Sequence, residues 1–135
     1  MADLKLARWT FEETLRYISL VHSFCRPANV DTEVCGVKIV QGTKILCALG
    51  AANLDKNHWP EADKSDIERR RSDNLALGVG IHACVGQNVA RAEDEAVLAA
   101  VANKMRAIEL SGEAVRRPNY SIRTLDRLPV TFRAW

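Results

Sequence analysis

One ten-residue segment constrains this chain more than any other. Residues 77–86 read Leu-Gly-Val-Gly-Ile-His-Ala-Cys-Val-Gly, and helical periodicity follows them to about Ala107. Three glycines let the backbone wrap closely and enter left-handed conformations that side chains resist. Cys84 stands two residues ahead of the helix, where backbone N–H groups lack partners and the helix dipole is positive, so a negatively charged sulfur is favoured there. The segment has a competing use. Gly78-x-Gly80-x-x-Ala83 fits the GxGxxG/A fingerprint of dinucleotide-binding loops. That fingerprint requires a buried strand before it within a βαβ unit. Here the preceding residues are Arg70-Arg71-Ser72-Asp73-Asn74, with three apolar residues between, and no acidic residue suited to a ribose stands out.

The rest of the chain sets a frame around this loop. Its 135 residues are 47% hydrophobic and 27% charged, the profile of one soluble domain. A net charge of +2, with no basic run longer than Arg69-Arg70-Arg71, argues against a nucleic-acid partner. The apolar runs 45–52 and 96–102 are far shorter than a bilayer span, and the first residues lack a secretory apolar region. A cytoplasmic location is the expectation. The cysteines at 25, 35, 47 and 84 form no CxxC pair. Cys25, Cys35 and Cys47 are expected to be small buried hydrophobes.

Leu4, Ala7, Phe11, Leu15 and Ile18 recur at helical spacing and predict a helix from about Asp3, its N-cap, to Ser19. Residues 33–48 hold two β-rich runs around Gln41-Gly42 and predict a hairpin. A short helix is expected over 50–57, and an irregular, charged loop over 58–74. The second long helix, 86–107, should bury Val89, Ala92, Ala96, Ala99 or Ala100, and Asn103, with Arg91, Asp94, Glu95 and Lys104 outward. Strands are expected at 108–110, 120–123 and 130–133. The fold class is therefore α+β. His22 and His58 are taken as structural, and Trp9, Trp59 and Trp135 as packing residues.

A cysteine thiolate is one of the axial ligands that haem iron accepts. Residues 77–86 resemble the haem-binding loop of the cytochromes P450, FGxGxHxCxG, with Leu77 in place of Phe. The resemblance extends along nearly the whole chain. Glu13-Thr14-Leu15-Arg16 resembles the family's ExxR, and Phe24-Cys25-Arg26 the segment whose arginine reaches a haem propionate. Asn53-Leu54-Asp55 with Trp59 resembles ANRDPxxW, and Asp66-Ile67-Glu68-Arg69 the DIxR of the meander. Gly86 to Arg91 resembles GQxLAR, and Leu128-Pro129-Val130 the terminal LPV. The match is nearest to the soluble bacterial class.

By that resemblance, residues 1–135 are the C-terminal haem-ligand region: K helix, β hairpin, meander, cysteine loop, L helix and terminal strands. Cys84 would be the axial ligand of haem b iron, within a loop shaped by Gly78, Gly80 and Gly86. Arg26 and His82 would bond the propionates. Glu13, Arg16 and Arg69 would form a buried structural triad. The resemblance implies a monooxygenase that acts on a small organic substrate with electrons from a ferredoxin-type partner. Arg69 to Arg71 and Arg91 are candidates for that partner's basic landing surface, or else a solvated charge run. The family's chains are about three times longer. The I helix and the substrate-covering half have no counterpart here, so a truncated member with little turnover, or a non-catalytic haem-binding fragment, is expected.

Overall fold

The computed structural model describes residues 4–135, so the expected N-cap, Asp3, lies outside the described residues. Helix α1 (Leu4–Ile18) stops at Ser19, whose φ of +47° leaves the helical range. The Ser19 N–H still reaches the Leu15 carbonyl at 3.0 Å, and its hydroxyl donates to the Arg16 carbonyl at 2.8 Å. Ala7 and Leu15 are buried as the spacing predicts, and Phe11 is half-buried. Ile18, assigned to the same face, is exposed. Glu12, Glu13 and Arg16 are buried as deeply as Leu15, so α1 packs on more than its apolar stripe.

All strand pairing among the described residues is antiparallel and two-stranded. Strand β1 (Phe24–Pro27) pairs with β4 (Lys44–Cys47), setting Phe24 opposite Cys47 and Arg26 opposite Ile45. Between them, β2 (Thr32–Val34) and β3 (Val37–Ile39) form their own hairpin about Cys35-Gly36, both at positive φ. The two runs expected to pair across Gln41-Gly42 therefore belong to different ladders. The turn at 35–36 is tight enough to close β2 on β3, which leaves β4 free to return to β1.

The short helix α2 is confined to Leu49–Ala52. No helix or strand forms from 58 to 74, as the charge and proline content predicted. A 3-10 turn at Gly80–His82 leads into α3 (Gln87–Lys104), which packs against α1 and runs directly into β5 (Met105–Leu110). β5 pairs with β8 (Val130–Ala134), and β6 (Val115–Arg117) with β7 (Thr124–Arg127). The strand expected at 120–123 contributes only a bridge from Ile122 to Val21.

Three further packing expectations fail. In α3, Val89, Ala92 and Ala96 are exposed, whereas Arg91, Asp94, Glu95 and Leu98 are half-buried toward the body of the structure. Six alanines in this helix make several faces equally apolar, and the Glu12–Arg91 pair described below fixes which one turns inward. Cys25 and Cys35 are exposed and Cys47 only half-buried, because β1 and the β2–β3 hairpin have open outer faces. Trp135 is exposed too, its indole N–H donating to the Ala102 carbonyl at 3.4 Å.

The accessible surface is 10124 Å². A compact monomer of 15.0 kDa exposes about 7,000 Å². Much of the surplus is apolar, including Ile81 and Val85, which are fully solvent-exposed. No described helix is long and apolar enough to cross a membrane.

Candidate haem-thiolate site

The anchor of the site is a saturated guanidinium. Arg16 has five N–H donors, and all five are used. Nε and Nη2 donate to the two Glu13 carboxylate oxygens at 2.8 and 2.7 Å. The others reach the carbonyls of Asn53 (2.9 Å), Ala62 (3.0 Å) and Lys64 (2.9 Å). One side chain thus fastens the irregular loop to α1. Glu13 also accepts from the Asp66 N–H at 2.9 Å and from Arg69 Nε at 3.4 Å. Arg69 in turn donates to the Pro60 carbonyl at 2.7 Å. Burial raises the Glu13 pKa, but the Arg16 bonds, the Asp66 N–H and the charges of Arg16 and Arg69 outweigh it and hold the carboxyl below its usual range.

A second pair lies beside the first. Glu12, whose side chain is wholly buried, accepts from Arg91 Nε at 2.5 Å. Its other oxygen accepts from the Asn74 amide at 3.1 Å. Arg91 Nη1 also bonds the Gln87 side chain at 2.9 Å, and the Gln87 N–H donates to the Cys84 carbonyl at 3.2 Å. A chain of contacts therefore runs from α1 to the cysteine loop. Asn53, fully buried, closes the back of the site: its amide donates to Ser19 Oγ at 3.0 Å and its oxygen accepts the Leu75 N–H at 2.8 Å.

The loop then turns on its glycines. Gly78 and Gly80 have φ of +73° and +60°. A Cβ on Gly78 would stand 2.4 Å from the His82 carbonyl oxygen, so a side chain is excluded there on two grounds. Gly86 has an ordinary φ of −83° and serves as the N-cap of α3 without a side-chain bond. The Cys84 N–H closes the turn on the Leu77 carbonyl at 2.7 Å, leaving the thiol exposed. Phe24, Arg26, Leu49, Gly78, Val79 and His82 line one cavity of about 400 Å³, to which Cys47 adds its side.

The arginines offered as a basic landing surface mostly face inward. Arg69 and Arg91 hold Glu13 and Glu12. Arg71 bonds Asp73 at 2.5 Å and lies 4.5 Å from the centre of the Trp59 ring. That bond, with a further one from His58, lowers the Asp73 pKa to about 2. Sequence reasoning did not single out Glu12, Asn53 or Asn74 as site residues. For Glu12 a signal was present, an acid one residue ahead of the ExxR glutamate and on a buried helix.

The sequence profile of the family described as "Cytochrome P450" matches residues 1–121. The chain belongs to the cytochrome P450 family. It is 46% identical over 129 residues to cytochrome P450 CYP199A2 of Rhodopseudomonas palustris, covering 96% of this chain and 31% of that one. It is 38% identical over 122 residues to the biotin biosynthesis cytochrome P450 of Bacillus subtilis, covering 90% and 31%. Among solved structures, P450BioI in complex with an acyl carrier protein bearing hexadec-9Z-enoic acid superposes with a TM-score of 0.92 at 36% identity, over 97% of this chain and 34% of that one. CYP108D1 from Novosphingobium aromaticivorans superposes at 0.91 with 34% identity, over 98% and 32%. The chain thus spans about a third of the length of these P450 relatives, and its mixed helices and strands form part of the P450 fold. The alternative of a dinucleotide-binding unit is not better supported: among the described residues no strand lies between α2 and the glycine loop, which follows an irregular segment.

Proposed function

We propose that residues 1–135 form one haem-thiolate region, with Cys84 as the axial ligand of haem b. The observation that carries this reading is the cavity where Arg26, His82 and Gly78 meet beside the exposed cysteine loop. The residues present suit the group. Phe24, Leu49, Leu75 and Val79 offer an apolar wall to a macrocycle, and Arg26 and His82 offer donors to its propionates. Gly78 and Gly80, both at positive φ, shape the loop that carries the exposed Cys84. Helix α3 begins at Gln87, three residues after Cys84, so the positive end of its dipole lies on the cysteine side.

When bound, such a haem supplies activation of O₂, with one oxygen atom entering an organic substrate and the other leaving as water. This chain's residues hold and orient it: the Arg16 and Arg91 clusters fix α1, the loop and α3 relative to one another. Monooxygenase activity, a small organic substrate, a ferredoxin-type electron donor and a cytoplasmic location are part of the proposal, supported by the family. The surplus exposed surface supports a companion reading, in which this chain alone binds haem without efficient turnover. Oxygen chemistry of this kind needs a site closed to water.

The test is spectroscopic. The chain is expressed with haem available, reduced and exposed to CO. The red-shifted Soret band of thiolate ligation is expected, and its loss in Cys84→Ala. Identical spectra from both proteins would overturn the assignment of Cys84. Coupled, substrate-dependent hydroxylation by the purified chain would overturn the companion reading.

A further inference from the structure

Glu12 is as deeply buried as its neighbour Glu13, yet it takes no part in the Arg16 cluster. Its two carboxylate oxygens reach in different directions along the chain. One accepts from the Asn74 amide at 3.1 Å, and the other from Arg91 Nε at 2.5 Å. Asn74 stands just ahead of the cysteine loop, and Arg91 just beyond it. We propose that Glu12 is a positioning residue for Cys84: one carboxylate clasps both ends of the loop and so sets where the loop, and its sulfur, stand against α1. The proposal rests on the reading of Cys84 as the axial ligand.

Each arm can be followed into the loop. At the entry, Asn74 Oδ1 accepts the Ala76 N–H at 3.1 Å, one residue ahead of Leu77, whose carbonyl takes the Cys84 N–H at 2.7 Å. At the exit, Arg91 uses a second corner of its guanidinium. Nη1 donates to the Gln87 side-chain oxygen at 2.9 Å, and the Gln87 N–H donates to the Cys84 carbonyl at 3.2 Å. The main chain of Cys84 is therefore tied through its N–H toward one arm and through its carbonyl toward the other. Asn53 adds a second tie at the entry, through the Leu75 N–H.

The chemistry of the clasp calls for a carboxylate. Donors arrive at both oxygens, and an ionised carboxylate presents acceptors only. A glutamine would turn its NH₂ toward one of the two donors and lose that arm. The exit arm calls for an arginine in the same way. The fork of a guanidinium reaches two acceptors at once, whereas a lysine offers a single point charge. A buried charge is costly to keep, and an apolar side chain of similar volume would often serve the packing as well. What Glu12 adds to packing is a bond to each of two segments that the loop separates.

Amide hydrogen exchange of the ¹⁵N-labelled 135-residue chain, without haem, reads the clasp directly. The quantity is the exchange rate of the Cys84 amide relative to the amides of the β1–β4 ladder. Local loosening of the loop changes this ratio, whereas a general loss of stability raises both rates together. The variants are Glu12→Gln, Asn74→Ala and Gln87→Met, with Leu15→Ala as a control for an apolar residue buried on the same helix. The ratio is expected to rise at least about tenfold in Glu12→Gln and several-fold in each of the other two, and to hold in Leu15→Ala. An unchanged ratio in both Asn74→Ala and Gln87→Met overturns the proposal, and these two variants decide it even if Glu12→Gln fails to fold. An equal rise in Leu15→Ala also overturns it, since Glu12 would then be an ordinary part of the core.

The same variants are then loaded with haem, reduced and exposed to CO. The red-shifted Soret band should lose intensity in Asn74→Ala and Gln87→Met relative to Leu15→Ala. A full band in both overturns the role in placing the ligand. A parent chain without that band removes the assignment of Cys84 and leaves the clasp to be decided by exchange, so the two failures are separate results.

Discussion

The Arg16 guanidinium lies 5.4 Å from the centre of the Trp59 ring, and both residues are about 1% exposed. A charge rarely sits this deep without partners, and here it has both a carboxylate and an aromatic face. Arg71 approaches the same ring at 4.5 Å, and His58 meets it edge-on with centroids 5.0 Å apart. Trp59 is thus the hub on which the irregular loop folds.

Arg16→Ala is expected to cost about 3–5 kcal/mol, because it strands a buried Glu13 and frees three carbonyls. Arg16→Lys should recover little, since an ammonium cannot span the carboxylate and three carbonyls at once. Urea unfolding of the three proteins measures this. A loss below about 1 kcal/mol for Arg16→Ala would show that the cluster is not the anchor described.

The Glu12–Arg91 pair should behave as a unit. Glu12→Gln and Arg91→Gln are each expected to destabilise by a few kcal/mol, and the double variant by much less than their sum. A double-mutant cycle by denaturation settles it, and simple additivity would count against coupling.

Acid should weaken the fold. Arg16 and its neighbours hold Glu13 below its usual range, and Asp73 lies near 2. The unfolded chain binds these protons more readily, so their stabilisation is complete above the ordinary carboxylate values and is lost as pH falls toward 2. Urea midpoints should hold from pH 7 to about pH 5 and fall from there toward pH 2, less steeply in Glu13→Gln measured against its own neutral value. Parallel curves would contradict the assignment to Glu13.

Asp94 works in the opposite sense. Burial, and then the charge of Glu95, raise its pKa, and its Oδ2 is buried without a partner. The ionised form opposes folding at neutral pH, and the penalty disappears as pH drops through the raised value. Asp94→Asn should stabilise the protein by about 1 kcal/mol or less at pH 7, with the gain shrinking in acid. A destabilised variant at pH 7 would show that the carboxylate has a favourable role.

The two loop glycines should separate. Gly78→Ala meets both a left-handed φ and a carbonyl 2.4 Å away, whereas Gly80→Ala meets open space at φ +60°. About 1 kcal/mol is expected at Gly80 and clearly more at Gly78. Thermal melts of both variants compare them, and equal losses would mean the loop relaxes at Gly78.

Much of the site was visible in the residues themselves. The glycine spacing and the Glu13–Arg16 pair belong to a motif whose parts are close in sequence, so local order places them. The Glu12–Arg91 contact joins positions 79 residues apart, and neither residue's type singles out the other. The β1–β4 pairing was hidden for a similar reason. Phe24-Cys25-Arg26-Pro27 is short and lacks a clear alternation, while β3 and β4 sit side by side in the chain and look like natural partners. The inward face of α3 was hidden by its alanines, because small residues on every side leave the periodicity undecided.

The way Arg16 holds the loop has an effect on how that loop can change. At Asn53, Ala62 and Lys64 the guanidinium touches main-chain oxygens, which every amino acid carries. At Ala62 and Lys64 the anchor is therefore blind to the identity of the residue and sensitive to its distance along the chain. Replacing either residue leaves the oxygens in place, whereas inserting or deleting one residue between 53 and 64 displaces at least one of the three. The spacing of this segment is the quantity under constraint, and its spelling is comparatively free.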